Sequence, residues 1–478
     1  MRQTAVDYFQ AIRVLKHFGK TTMPVDIDGD GEQEIAGDFD ANGVPDIGGN
    51  VPYFIFGQSL GSIVSAVVAP LEPAVVASAP TSGGGGLVDV AVRTQESGVV
   101  RAAFLPLFGP IIATRPGTSG RIDMVMDIVD VNQERPIRFA RIPDPIAGKL
   151  DELEVGDHVR VTNLDNGETD EVVVGLSDPV GLVRLHIPAD YLDRFQVELL
   201  RRNATAPYRT INTWETPDLE EAAFRGENYL VGDTLRLLQE GHGHRRGTPS
   251  LRRLMSLAQM ISDPADPVNV ALLHNEPIFV RPEGKVPTNV LVVNTVGDRS
   301  VPINTGVSIA RAAGLIGVRQ PDPRFGKTQD QVLIDSWVLE GLEGLTRFAT
   351  DPCRNDSRDI LFDIDDLAEG NDPVLPPRLT TLSLAAECDG SVSAPAKCDA
   401  CAVLPPLRVT RTYPWGMSGM RIPYMLSTGD HGFMPPDPNL AFDYNTYMIN
   451  QIGWFFATGG TVIVDDVCLV DSSCDFLP

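Results

Sequence analysis

No cysteine occurs before Cys353, so the first two thirds of the 478-residue chain carry no disulfide framework. No uninterrupted apolar run reaches the roughly 18 residues that a transmembrane helix needs. The most apolar region, residues 63–79, is broken by Pro70, Glu72 and Pro73. The first residues, MRQTAVDYFQAIRVLKHF, lack the apolar core of a signal peptide. Basic residues are scarce: 39 stand against 64 acidic ones, for a net charge of −25, which argues against a nucleic-acid partner. The excess of carboxylates fits a solvated, secreted or salt-exposed protein, one suited to cations.

What is present supports a globular protein. A hydrophobic share of 43% suffices for a sizeable core, and the length suggests two or three domains, or one with large insertions. The six cysteines, Cys353, Cys388, Cys398, Cys401, Cys468 and Cys474, are even in number and lie in loop-rich sequence. Disulfides, and hence an extracellular, periplasmic or cell-surface location, are expected. Cys468 and Cys474 are the nearest pair, and the other four allow three pairings. A zinc site built on Cys398-x-x-Cys401 with Cys388 and Cys353 is the competing reading, disfavoured because no second CxxC exists.

Along the chain, residues 3–18 read as an amphipathic helix with Val6, Phe9, Ile12 and Phe18 on its apolar face. Buried strands are expected at 51–56, 73–80, 288–296 and 421–428, and helices at 59–69, 305–317 and 441–460. Residues 217–262 also look helical. Between 153 and 176, alternating valines around Asp165-Asn166-Gly167 mark an antiparallel hairpin within a small β-rich insert at about 135–200. The strand–helix alternation gives an α/β class with five stretches. These are 1–86, a cap over 87–285, a core strand and helix at 286–317, a Cys/Pro-rich insertion at 318–418, and a closing strand, helix and tail at 419–478.

The segment FIFGQSLGS (54–62) contains G-x-S-x-G between a strand and a helix. A serine on that sharp turn is exposed to attack an acyl carbon, and the helix start offers N–H groups to an oxyanion. The glycines two residues either side are expected to avoid collisions with backbone. Ser59 is the candidate nucleophile and the Leu60 N–H the candidate oxyanion donor. A base and an orienting acid should follow in the order Asp, His. Asp298, in VGDRSVP, and His431, in TGDHGF, both come just after expected strands, on the rim where Ser59 lies. His158 and His186 fall in the β insert, His242 and His244 in a polar loop, and His274 after an apolar run suited to a core or cap. Asp430 is ranked below Asp298, and Asp263 and Asp266 read as turn and cap residues. The run Gly83–Gly86 is expected to be a flexible exit into the cap.

These motifs resemble the α/β-hydrolase superfamily. The acidic loop, YFIFGQSLGSIVSAVVAPLEP and the late SGMRIPYMLSTGDHGFMPPDP resemble, more narrowly, bacterial extracellular lipases of the Pla-1/cef type. The resemblance implies a parallel sheet with a cap and hydrolysis of a small-molecule or lipid carboxylic ester through an acyl-enzyme, without a catalytic cofactor. Such a fold supplies strands and a second oxyanion N–H ahead of the elbow, so this chain is expected to lack the N-terminal part of the domain. The alternatives are a serine peptidase or amidase on the same fold, and a non-catalytic calcium-binding surface module or inactive fragment.

Ahead of the elbow, Asp26-x-Asp28-x-Asp30-Gly31-x-x-Glu34 is followed twelve residues on by Asp38-x-Asp40-x-Asn42-Gly43-x-x-Asp46. Alternate carboxylates around a sharp glycine turn suit a hard cation. The pattern is similar to short calcium loops of the dockerin and integrin-propeller kind. A structural Ca²⁺ held by Asp26, Asp28, Asp30, Glu34, Asp38, Asp40, Asn42 and Asp46 is expected, against the alternative of plain Asx turns.

Overall fold

The structure is a computed structural model. It describes residues 1–94, 105–116, 122–129, 137–142, 153–174, 183–214, 223–224, 227–228, 230–245, 248–278, 287–295, 298, 300–323, 326–335, 339, 350–351, 356–357, 407–422, 431–432 and 444–464. All six cysteines and Asp430 lie outside the described residues. No helix among them is long and apolar enough to cross a membrane.

The chain opens with α1 (Arg2–Leu15), which buries Ala5 and Ile12. Phe9, four residues after Ala5, packs beside them. Val6 is exposed, so the inner face is turned by about one residue from the expected one. Next come β1 (Tyr53–Gln58), α2 (Leu60–Val68) and β2 (Val75–Thr81), a parallel βαβ unit. Small and β-branched residues of α2 let it lie close to the strands, and seven of its nine residues are buried.

After β2 the chain runs through α3 (Leu87–Arg93) into a β-rich region. Two four-stranded sheets form there. One joins Ile137–Ile142, Ile122–Val129, Ile111–Pro116 and Arg184–His186; the other joins Arg209–Ile211, Phe195–Leu200, His158–Asn163 and Thr169–Val173. They share one core, in which Met124, Met126 and Leu185 of the first meet Val159, Val161 and Phe195 of the second. These strands run from Ile111 to Ile211, a wider span than 135–200. The expected hairpin is present, with Gly167 at φ +78° in its turn.

Among the described residues of the 217–262 stretch, only the end is helical: α4 covers Pro249–Ser262, capped by the Thr248 hydroxyl. Upstream, Leu235 and Leu237 are extended and fully buried in the β core. Their alternation with Thr234 and Arg236 is a strand's period, and backbone bonds to Asn212, Asp193 and Leu192 satisfy it.

The main sheet resumes with β3 (Asn289–Val293), followed by α5 (Ile303–Ala312), β4 (Leu407–Tyr413), β5 (Gly416–Ile422) and α6 (Tyr444–Ala457). Strand order is β1-β2-β3-β5-β4. All contacts are parallel except β4 against β5. The sheet is therefore mixed rather than parallel. The last strand begins at Gly416, not at residue 421, because Tyr413 pairs with Gly416 across a tight hairpin. Residues 423–430 lie outside the described set.

Both faces of the sheet are covered. On β3, Val290 and Val292 face Ile303 and Val307 of α5, while Leu291 and Val293 face Met448, Ile452 and Phe455 of α6. The C-terminal ends of β1 and β3 thus emerge on one rim of a rigid frame, where loops can carry reactive groups. The fold is a mixed α/β one.

Candidate active site

Strand β1 runs directly into the turn at Ser59, which has φ 58° and ψ −122°. A non-glycine residue held there costs about 1–3 kcal/mol, so the surroundings must enforce it. They do so by donation from the Ser59 N–H to the Thr81 carbonyl at 3.0 Å, and by the Ser59 carbonyl accepting from Ile63 N–H at 3.2 Å. Ser59 stands at the N-cap of α2, yet its hydroxyl makes no capping bond. The strained backbone turns away a side chain that would otherwise cap. Leu60 is the first helical residue, where a backbone N–H has no partner within the helix.

The two elbow glycines differ. A Cβ on Gly57 would lie 2.1 Å from the Gly61 carbonyl oxygen, so only glycine fits. A Cβ on Gly61 would meet nothing within 4 Å. The expectation that both are sterically required holds for Gly57 alone. Gly57→Ala is expected to cost about 1–3 kcal/mol and disrupt the turn. Gly61→Ala should leave the melting temperature unchanged or raise stability by up to about 1 kcal/mol. Thermal melts of the two variants check the contrast.

The run Gly83–Gly86 is not a flexible exit. Gly83, Gly84 and Gly85 are buried, and an added Cβ would come within 1.9 Å of Ser62 Oγ, 2.3 Å of Thr305 Oγ1 and 2.3 Å of Val268 Cγ2, respectively. The segment is glycine because it is squeezed between α2, α5 and the turn Pro267–Asn269. Asp266 locks its end: the carboxylate accepts from the N–H groups of Gly86, Leu87 and Val268 and from Gln259 Nε2. Asp266 is a cap residue, as its sequence context suggested.

Asp298 follows β3 and is almost completely buried. Its Oδ1 accepts from Ser300 N–H at 2.8 Å and Val301 N–H at 3.0 Å. His431 Nδ1 lies 2.8 Å from Oδ2 and 3.0 Å from Oδ1. Burial pushes the Asp298 carboxyl above the usual range, while His431 and the Val301 and Ser300 N–H groups pull the other way. With a carboxylate on Nδ1, the imidazole carries its proton there and leaves Nε2 as a base.

His431 also touches the elbow. Its carbonyl accepts from Gln58 Nε2 at 3.1 Å. Gln58 immediately precedes Ser59, so the histidine backbone is held beside the serine's own turn. Sequence reading passed over Gln58 and over Gly432, which packs on it. Their only signal was proximity to the serine and histidine motifs.

The remaining histidines fall elsewhere. His158 pairs with Glu171 on the β region, where His186 also lies. His242 is exposed and His244 half-buried. His274 is fully buried, with Nδ1 3.2 Å from the Thr288 carbonyl.

The acidic loops repeat one hydrogen-bond set with a shift of twelve residues. Asp26 accepts from Gly31 N–H and Asp38 from Gly43 N–H; Asp28 accepts from Asp30 N–H and Asp40 from Asn42 N–H. Glu34 accepts from Ile27 N–H, and Asp46 from Phe39 N–H. Carboxylate oxygens of Asp26, Asp28 and Glu34 lie within 4.8 Å of one another, as do those of Asp38, Asp40 and Asp46. Asp30 and Asn42 instead accept from the N–H groups of Glu32 and Val44. Burial pushes the Asp38 carboxyl up, but the Gly43 and Asn42 N–H groups outweigh it and hold it below the usual carboxylate range.

No known protein family, curated protein or solved structure matches this chain.

Proposed function

We propose that this chain is a serine hydrolase of the α/β-hydrolase type that cleaves carboxylic esters of small molecules or lipids. The observation that carries the reading is the bond from His431 Nδ1 to the buried Asp298 carboxylate, on a histidine tied to the turn of Ser59. In this reading Ser59 Oγ attacks the acyl carbon while His431 Nε2 takes its proton. The Leu60 N–H, at the positive end of α2, stabilises the oxyanion. Collapse expels the alcohol, which recovers the proton from His431. Water then attacks the acyl-Ser59 ester by the same route, releasing the acid and restoring the serine. Asp298 keeps the Nδ1 tautomer and balances the imidazolium charge. The cysteine usage supports a location outside the cytoplasm, and no catalytic cofactor enters the scheme.

A fluorophosphonate probe tests the assignment. The parent protein is expected to label at Ser59 and Ser59→Ala to lose the label, along with turnover of nitrophenyl esters by a factor on the order of 10⁴–10⁶. A parent that does not label, or a Ser59→Ala variant that still does, overturns it.

The acidic loops are read as structural calcium sites. The reading is supported by the repeated geometry and by hard oxygen donors converging in threes, Asp26, Asp28 and Glu34 in one loop and Asp38, Asp40 and Asp46 in the other. The loops join α1 to β1, so a bound ion would stiffen the approach to the elbow. Chelator-stripped protein is expected to gain about 2.7 kcal/mol for each loop that fills when free Ca²⁺ is raised to 100 times that site's dissociation constant. An unchanged melting temperature and a flat calorimetric titration would remove calcium from the picture.

A further inference from the structure

Two of the contacts that hold His431 do different things. The Asp298 bond sets the direction of the imidazole. Asp298, however, follows β3, which is separated from β1 by β2. A base steered from there alone would be placed relative to Ser59 through two successive strand contacts. The second point is on β1 itself: Gln58 Nε2 donates to the His431 carbonyl. The next residue, Gly432, has φ +83°, and a Cβ there would lie 1.9 Å from Gln58 Nε2. The His431–Gly432 backbone therefore packs closely on the Gln58 amide, and the positive φ favours glycine there.

We propose that Gln58 is a positioning residue that ties the general base to the turn carrying the nucleophile. This rests on the serine-hydrolase reading above. Because Gln58 and Ser59 are adjacent, displacement of β1 carries serine and histidine together, and their separation is preserved. A misplacement of about 1 Å between reacting groups costs on the order of 100-fold, so one such tether has leverage. The amide is suited to the role. It donates to a carbonyl while adding no charge beside an imidazole that must become cationic during turnover. A carboxylate there would favour the imidazolium in the resting enzyme and remove the free base.

Steady-state hydrolysis of a nitrophenyl ester and the rate of fluorophosphonate labelling test this in the full chain. Gln58→Met keeps side-chain length and loses the donor. It should lower kcat by about 10- to 100-fold with KM within about twofold. In Gln58→Met combined with Asp298→Asn the two losses should be less than multiplicative, since both act through His431. Gln58→Glu should move the acidic limb of the kcat/KM profile to higher pH. Should Gln58→Met fail to fold, that shift alone decides. A kcat within about twofold of the parent, fully multiplicative losses, or an unmoved limb would overturn the role of Gln58 while parental labelling at Ser59 leaves the hydrolase reading standing. No labelling in the parent overturns both.

Discussion

On the serine-hydrolase proposal, Asp298→Asn is expected to lower kcat for ester hydrolysis by about 10⁴-fold while leaving the fold intact. The size follows from which oxygen does what. Oδ1 is committed to two backbone donors, Ser300 N–H and Val301 N–H. An asparagine must keep its carbonyl oxygen there, because its NH₂ would face two N–H groups. That places the NH₂ at the Oδ2 position, against His431 Nδ1, 2.8 Å away in the parent. Two donors cannot meet, so the proton leaves Nδ1 for Nε2. In the proposed mechanism the imidazole then presents a donor where Ser59 needs a base. Stability should move differently. Burial raises the Asp298 pKa, so its ionised form costs stability, and that cost appears as pH rises through the folded-state value. The neutral amide removes it. Asp298→Asn should melt at pH 7 at the parental temperature or above it, while kcat collapses. Kinetics and a thermal melt on one preparation check both halves. A kcat within about tenfold of the parent would show that Asp298 does not orient the base.

Acidification from pH 6.5 to 4 should cost the parent about 3 kcal/mol of stability through His274 alone. His274 sits at the far end of the sheet from Ser59, fully buried. Its neighbour Thr288 donates its hydroxyl to the carbonyls of Ala69 and Val75. Burial lowers its pKa from 6.5 to about 4, with the Thr288 carbonyl pulling weakly the other way. The unfolded chain takes up a proton near pH 6.5, whereas the native ring stays neutral until about pH 4. Stability from this group is therefore complete above pH 6.5, falls as pH drops, and levels off below about pH 4. His274→Met removes the titration at the expense of one hydrogen bond, on the order of 1 kcal/mol at neutral pH. Urea midpoints at pH 7 and pH 4.5 should differ less in the variant than in the parent. An unchanged difference would mean that His274 takes up its proton without unfolding the chain.

Much of the local structure was legible in the sequence. Strand–glycine–serine–glycine–helix is a short-range signal, and the turn at Ser59 forms within a few residues. The acidic loops were legible for the same reason: the carboxylate bonds that shape them join residues at most seven apart, so a twelve-residue repeat in sequence becomes one in space. Asp298 and His431 were singled out by their motifs, and the structure bonds them, although the described strand before His431 ends at Ile422. The errors came where a local pattern was ambiguous. Leu235 and Leu237 sit in a run that reads as helix until a β core is available to bury them. The run Gly83–Gly86 has the composition of a hinge, and only the crossing of α2, α5 and the Pro267–Asn269 turn makes it a tight packing site. In α1, the choice of Ala5 over Val6 as an inner residue is set by what the helix lies on.

By itself, then, the sequence determined the elbow, the paired acidic loops and the strand that leads to Asp298, because each depends on residues close in the chain. Tertiary structure alone decided that β4 closes the sheet antiparallel, that Gly57 and not Gly61 is sterically obligatory, and that Gln58 holds the backbone of a residue 373 positions away. Such a contact leaves no periodic trace. It exists only once the parallel strands have brought their C-terminal ends to one rim, and packing, not propensity, sets the distance between the groups there.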